Sequence, residues 1–360
     1  MDQITDAMEM VDHLDHPAFC VREGVIVKVN PAGTARMIEC GSAVSDLLHT
    51  GQEEYSEFRS GCLYLTLSLG DQLQGASVTR KKGFDLFILE QESDSTDLQA
   101  LALAARELRE PLTGIMISIE QLFAMLNAQN AGNQEHAAQY NRSLFQMLRL
   151  ISNMSDASRY LSDTGSRQEI RDICGIIRET VAKAAGLAES AGLRMVCKLH
   201  SQPVYSLVDA EKLERAVLNI LSNALKFSPA GESVEVTLTA REKKLYFSVL
   251  DSGCGIPENL RSGIFSRYTR EPGVEDARYG VGLGMVLVRA AASLHGGTVL
   301  VDHPQGTGTR VTMTLAIREG DGKTLRSPML KVDYAGERDH GLLELSNILP
   351  AEMYNRDHIN

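Results

Sequence analysis

Between residues 17 and 90 the apolar positions fall in short runs broken by glycine and charged turns. Phe19-Cys20-Val21 and Val25-Ile26-Val27-Lys28-Val29 flank Arg22-Glu23-Gly24, a spacing that predicts a β-hairpin. Cys62–Leu69, Gly75–Thr79 and Phe84–Leu89 predict three further strands. From Ser95 the period lengthens. Leu98, Leu101, Ala105, Leu108, Leu112, Ile115, Ile119, Leu122 and Leu126 recur at alternating intervals of three and four, a heptad seam. Asn127–Gln134 reads as a turn, and a second seam follows at Tyr140, Leu144, Met147, Ile151, Met154, Ser158 and Leu161. The two helices form a hairpin, and two hairpins from two chains would close a four-helix bundle. The alternative is a monomeric hairpin packed on its own neighbours. Pro111 removes one backbone donor within the first helix and predicts a kink there.

Beyond residue 170 the pattern alternates. Ile173–Ala191, Glu211–Phe227 and Gly284–His295 read as helices. Val234–Thr239, Lys244–Asp251, Thr298–Val301 and Arg310–Ala316 read as strands, which predicts a mixed sheet layered with helices. Arg318–Arg326 is polar linker, and the apolar Leu342–Tyr354 reads as a docking helix with no functional signal of its own.

Composition narrows the class. The 360 residues are 43% hydrophobic and 23% charged, the balance of a folded protein of two or three domains. A net charge of -11 argues against a general nucleic-acid or anionic-membrane surface, though not against a nucleotide site with a few local cations. The N-terminus lacks the basic start and apolar core of a signal peptide, and no apolar stretch has bilayer-spanning length. The expected location is the cytoplasm, without membrane insertion. Six scattered cysteines with no Cys-x-x-Cys pair fit free thiols.

Four short motifs carry the chemistry. In Asn219-Ile220-Leu221-Ser222-Asn223-Ala224-Leu225-Lys226-Phe227, two amides share one helix face with a lysine a turn beyond. Amide oxygens suit Mg²⁺ and a lysine suits phosphate; a plain surface face is the competing reading. Asp251-Ser252-Gly253-Cys254-Gly255 ends a strand with a carboxylate that can accept from an adenine amino group, or is a plain turn. Ile264-Phe265-Ser266-Arg267-Tyr268 follows. Gly280-Val281-Gly282-Leu283-Gly284 opens a helix, where freed N–H groups can face phosphates. Neither a Rossmann fingerprint nor a Walker A loop is present.

In this order the motifs resemble the N, G1, F and G2 boxes of the histidine-kinase ATPase domain of the GHKL superfamily, and His295-Gly296-Gly297-Thr298 with Gly306-Thr307-Gly308-Thr309-Arg310 matches that family too. The resemblance implies ATP and Mg²⁺ as cofactors. It places Asn223 and Asn219 on Mg²⁺, Lys226 on a phosphate and Phe227 in the adenine pocket. Asp251 would bind adenine, supported by Thr309 through water, with Gly253 and Gly255 beside it. Gly280, Gly282 and Gly284 would hinge a lid, and Arg278 would add a phosphate contact. The opening Pro17–Ala32 resembles a PAS sensory domain, with an unrelated small α+β domain as the alternative. The implied fold class is multi-domain α+β: a PAS-like α+β domain over 1–94, a dimerisation and phosphoacceptor-like helical hairpin over 95–165, an α/β-sandwich ATPase domain over 166–318 and a tail over 319–360.

The hairpin departs from that family at two positions. Its acceptor box reads Ala105-Arg106-Glu107-Leu108-Arg109-Glu110-Pro111-Leu112, with Arg106 where the resemblance expects histidine. A guanidinium stays protonated and offers only donors, so it cannot serve as a phosphoryl acceptor. Arg106 could pair with a γ-phosphate, or be a solvated helix residue. Glu110 stands where Thr or Asn is expected, and a carboxylate there would repel an aspartyl phosphate. His136 is placed in the hairpin loop; His200, His295 and His303 show no ligand spacing. Three functions compete. A cytoplasmic sensor-kinase architecture would work with a response regulator or another histidine kinase. A pseudokinase would be an ATP-switched homodimer acting by binding. A hydrolytic ATPase of the gyrase or chaperone type would need a glutamate base at position 219, which holds asparagine.

Overall fold

The computed structural model describes residues 11–81, 83–90, 93–125, 131–161, 167–229, 231–257, 261, 263–265, 282–304, 308–318 and 338–355. The N-terminal strands form as their spacing predicts: β1 (Ala18–Arg22), β2 (Val25–Val29), β3 (Cys62–Leu69), β4 (Gln72–Lys81) and β5 (Phe84–Leu89). The β1–β2 turn places Glu23 and Gly24 at φ 51° and 80°, the mirror-image turn whose twist matches the flanking strands. Asn30 then fixes the entry to the short helix α1 (Pro31–Thr34). Its buried amide accepts from Ala18 N at 3.0 Å and Gly33 N at 2.8 Å, and donates to His16 O at 2.8 Å. A second short helix, α2 (Gln52–Glu57), precedes β3. The core of this region is apolar, with Phe19 stacked on Phe87 at 4.6 Å between centroids.

Two long helices follow, α3 (Ser93–Met125) and α4 (Ala131–Leu161). Helix α3 continues through Pro111. Helix α4 already begins at Ala131, so the turn expected to reach Gln134 is shorter than its polarity suggested. His136 consequently lies exposed on a helix and not in a loop. The heptad seam divides. Ala105, Leu112 and Met116 pack against Leu144 and Ile151, whereas Leu108, Ile115 and Leu122 are about half exposed at 50%, 50% and 53%.

The remaining strands are β6 (Glu169–Asp172), β7 (Arg194–Leu199), β8 (Tyr205–Val208), β9 (Ser233–Arg241), β10 (Lys244–Leu250), β11 (Val299–Asp302) and β12 (Arg310–Ala316). Helices α5 (Ile173–Ser190), α6 (Ala210–Phe227) and α7 (Gly284–Leu294) pack with this sheet around one large apolar core. Strands β6, β7 and β8 have no counterpart among the strands that the spacing predicts. The order is β2-β1-β5-β4-β3-β11-β12-β10-β9-β7, a single ten-stranded sheet, with β6 and β8 paired separately. The two halves join where β3 pairs antiparallel with β11, Tyr64 opposite Val299 and Cys62 opposite Val301. Side chains seal this joint. Lys244 Nζ reaches Glu53 at 2.9 Å and Glu54 at 3.0 Å, Arg289 pairs with Glu90, and Tyr64 packs on Phe265 with centroids 5.6 Å apart.

The C-terminal segment docks, as its apolar pattern suggested, but as a one-turn helix α8 (His340–Glu344) and a 3-10 turn (Ala351–Tyr354) and not one long helix. It lies on α4, α5 and α6. The linker beyond Arg318 falls outside the described residues. No described helix is long and apolar enough to cross a membrane.

Candidate functional site

Helix α6 is strongly amphipathic and starts on a side-chain cap, Asp209 accepting from Lys212 N at 3.2 Å. Its buried face is mostly apolar, with Arg215 and Ser222 among the leucines and alanines. Its outer rim carries Asn219, Asn223, Lys226 and Phe227 into a cavity of about 440 Å³. Asn219 is 1% exposed, and its Nδ2 donates to Arg215 O at 2.9 Å. Its amide oxygen lies so close to Gly284 that a Cβ there would sit 2.8 Å from it. Glycine at 284 thus lets the start of α7 approach the asparagine face of α6. Lys226 Nζ lies 5.0 Å from the centroid of the Phe227 ring, holding a cation beside an aromatic wall.

The opposite wall is built at the end of β10. Asp251 accepts through Oδ1 from Gly253 N at 2.8 Å and Thr309 N at 3.0 Å, and its own N donates to Thr309 O at 2.9 Å. Burial pushes its carboxyl pKa up, while these two N–H groups and His303 pull it back. Gly308, at φ +73°, packs so tightly that a Cβ would lie 2.0 Å from Asp251 O. His303 ties the same corner together. Its Nδ1 donates to Gly308 O at 2.7 Å and its Nε2 accepts from Ile256 N at 3.3 Å.

The cavity therefore gathers Asn219, Asn223, Lys226, Phe227, Asp251, Gly255, Gly282, Gly284 and Thr309 from segments far apart in sequence. Gly253 lies beneath it, against Phe227 O. Arg278 and Gly280 lie outside the described residues. Arg106 and Glu107 are exposed on α3 and do not line the cavity; the side chain of Glu110 lies outside the described residues. Among the described residues no three His, Cys, Asp or Glu side chains cluster as a metal site. The available donors are the hard amide oxygens of α6, a set suited to an ion that arrives with phosphate oxygens.

Gln146, Arg149, Leu150 and Asn153 of α4 and Asn347 of the C-terminal segment complete the wall. Motif spacing gave no signal for these, nor for His303 as a tether, because their roles arise from packing between distant segments.

Residues 208–319 match the family of histidine kinase-, DNA gyrase B-, and HSP90-like ATPases. Over longer spans the chain is similar to the sensor histidine kinase WalK of Bacillus subtilis, 29% identical over 64% of this chain and 39% of WalK. It is 34% identical to the histidine protein kinase DivJ of Caulobacter vibrioides over 60% of this chain and 37% of DivJ. The sensor histidine kinase YcbM of Bacillus subtilis is 26% identical over 59% of this chain and 68% of its own length. The chain thus spans well under half the length of the first two relatives. Residues 208–319 are thus a histidine kinase-, DNA gyrase B-, and HSP90-like ATPase domain, and the chain around them is similar in sequence to sensor histidine kinases.

Proposed function

We propose that this chain is an ATP-binding signalling protein of the two-component type that does not phosphorylate itself at the position of the usual acceptor. The observation that carries the reading is the coexistence of a cavity that gathers Asn219, Asn223, Lys226, Asp251 and Thr309 with an arginine at position 106. In this reading Asp251 accepts the adenine amino group, supported by Thr309, with Gly253 and Gly255 allowing the base close to the backbone. Phe227 covers the ring. Lys226 meets a phosphate, and Asn223 with Asn219 offers amide oxygens to Mg²⁺. Gly282 and Gly284, with Gly280, hinge a lid, and Arg278 adds a phosphate contact. Bound Mg²⁺ would screen the triphosphate charge; the chain's own residues orient it. The missing glutamate at 219 leaves no base to activate water, which disfavours a hydrolytic role.

The N-terminal strand order β2-β1-β5-β4-β3 supports a PAS-like sensory unit. The exposed row Leu108, Ile115 and Leu122 on α3 supports a homodimer through the helical pair. A response regulator or another histidine kinase is the partner class this architecture fits. A binding-only pseudokinase is favoured by one further feature: α4 is anchored to the ATPase domain by a buried ion cluster, Arg149 and Arg215 with Glu344 and Asp156. Calorimetric titration with ATP and Mg²⁺ tests the site. Binding by the wild type, lost in Asp251→Asn and Asn223→Ala, supports it; equal binding by all three overturns it.

A further inference from the structure

No recognisable motif involves residues 338–354, yet Leu342, Leu343, Leu345 and Leu349 are at most 4% exposed. Polar groups fix the course of the segment at atomic detail. From α4, Arg142 Nε and Gln146 Nε2 donate to Ser346 O at 3.2 and 3.1 Å, and Arg142 Nη2 to Asn347 O at 3.4 Å. From α6, Ser222 Oγ donates to Glu344 O at 3.0 Å. Ser222 lies between Asn219 and Asn223, so the segment is tied to the very helix that carries the proposed metal-binding amides. Beneath it, Arg149 Nε meets Glu344 Oε2 at 2.8 Å and Arg215 Nε meets Oε1 at 3.3 Å, while Arg215 also pairs with Asp156 and donates to Asn153 Oδ1 at 2.7 Å. Two arginines and two carboxylates balance in charge. A buried set of this kind contributes little net stability for its desolvation cost, but it fixes geometry. What it fixes here is Asn347, half-buried on the rim of the cavity next to Gln146 and Asn153.

We propose that the C-terminal segment is part of the nucleotide site: Asn347, backed by Gln146 and Asn153 of α4, forms a polar wall that contacts bound ATP on the side of Asn219 and Asn223. The amide N–H₂ of Asn347 supplies donors to phosphate oxygens, and the ATP site is complete only when segment 338–354 is seated. This rests on reading the cavity as an ATP site.

The test uses the full chain, titrated with ATP and Mg²⁺ in a calorimeter. Asn347→Ala removes no core side chain and keeps the thermal unfolding of the wild type without nucleotide. Its affinity falls about ten- to hundredfold, the loss of a hydrogen bond to a charged group. In the wild type, hydrogen exchange at residues 345–349 slows when ATP and Mg²⁺ are added. Wild-type affinity in Asn347→Ala, with binding still lost in Asn223→Ala, overturns the role of the segment; so does unchanged exchange at 345–349 while residues 282–287 become protected. Absence of ATP binding by the wild type overturns instead the reading of the cavity on which the inference rests.

Discussion

At the scale of single residues, the corner that holds Asp251 is the most exacting part of the site. Its carboxylate is oriented by two backbone N–H groups, and one of them, from Thr309, is delivered by the backbone at Gly308. Gly308→Ala would place a methyl group 2.0 Å from Asp251 O at a left-handed φ. The expected result is a loss of roughly 1–3 kcal/mol in stability and at least tenfold weaker nucleotide binding, measured by denaturant unfolding and titration. His295 gives a pH prediction. It is 1% exposed, Nδ1 donating to Ala291 O at 2.7 Å and Nε2 accepting from Asp209 N at 3.0 Å. Burial lowers its pKa below the ordinary 6.5. Below that value the unfolded chain takes up a proton that the folded chain refuses, so this residue's contribution to stability is lost as pH falls. Thermal unfolding between pH 7.5 and 5.5 should show a falling midpoint in the wild type and a flatter profile in His295→Gln. The motif residues were legible at this scale because each one's chemistry is local to its element. His303 was not, because its work consists of bonds to Ile256 and Gly308, one of them far away in sequence.

At the scale of elements, strong periodicity was legible and weak periodicity was not. Helix α6 and the long strands β9, β10 and β12 lie close to the bounds that their patterns predict. Strands β6 and β8 have four residues each, and β7 is largely exposed at the sheet edge, so neither length nor alternation marks them. The two seams marked α3 and α4 correctly, yet periodicity alone could not say which residues face inward. The anchoring of α4 is testable here. Glu344→Ala leaves Arg149 and Arg215 buried without their shared carboxylate, and the expected cost is about 3–5 kcal/mol in denaturant unfolding. A change below about 1 kcal/mol would contradict the ion cluster as drawn, since removing one partner of a buried pair strands the other.

At the scale of the whole molecule, the chain joins its N-terminal strands to the ATPase domain through β3 and β11, while α4 is held to the same domain by the C-terminal segment. Sequence patterning located both halves but not the joint, because strand pairing between distant segments leaves no periodic trace. Phe265 of the ATPase domain packs on Tyr64 of β3, and Cys62 Sγ donates to Arg261 O at 2.7 Å. These contacts place the N-terminal strands against Phe265, the neighbour of Ile264 in the cavity wall. The exposed row on α3 belongs to this scale too. Light scattering should give the mass of a dimer for the wild type, and Leu108→Glu combined with Ile115→Glu should give a monomer with unchanged nucleotide binding. A wild-type monomer would instead favour a hairpin covered only by its own chain.

A nucleotide site that fills without self-phosphorylation would show itself when the purified chain is incubated with γ-labelled ATP and Mg²⁺ under conditions where calorimetry shows the site occupied. The expected result is no label on the wild type. Label on the wild type that disappears in Asn223→Ala would contradict it, and would show that another side chain receives the phosphoryl group.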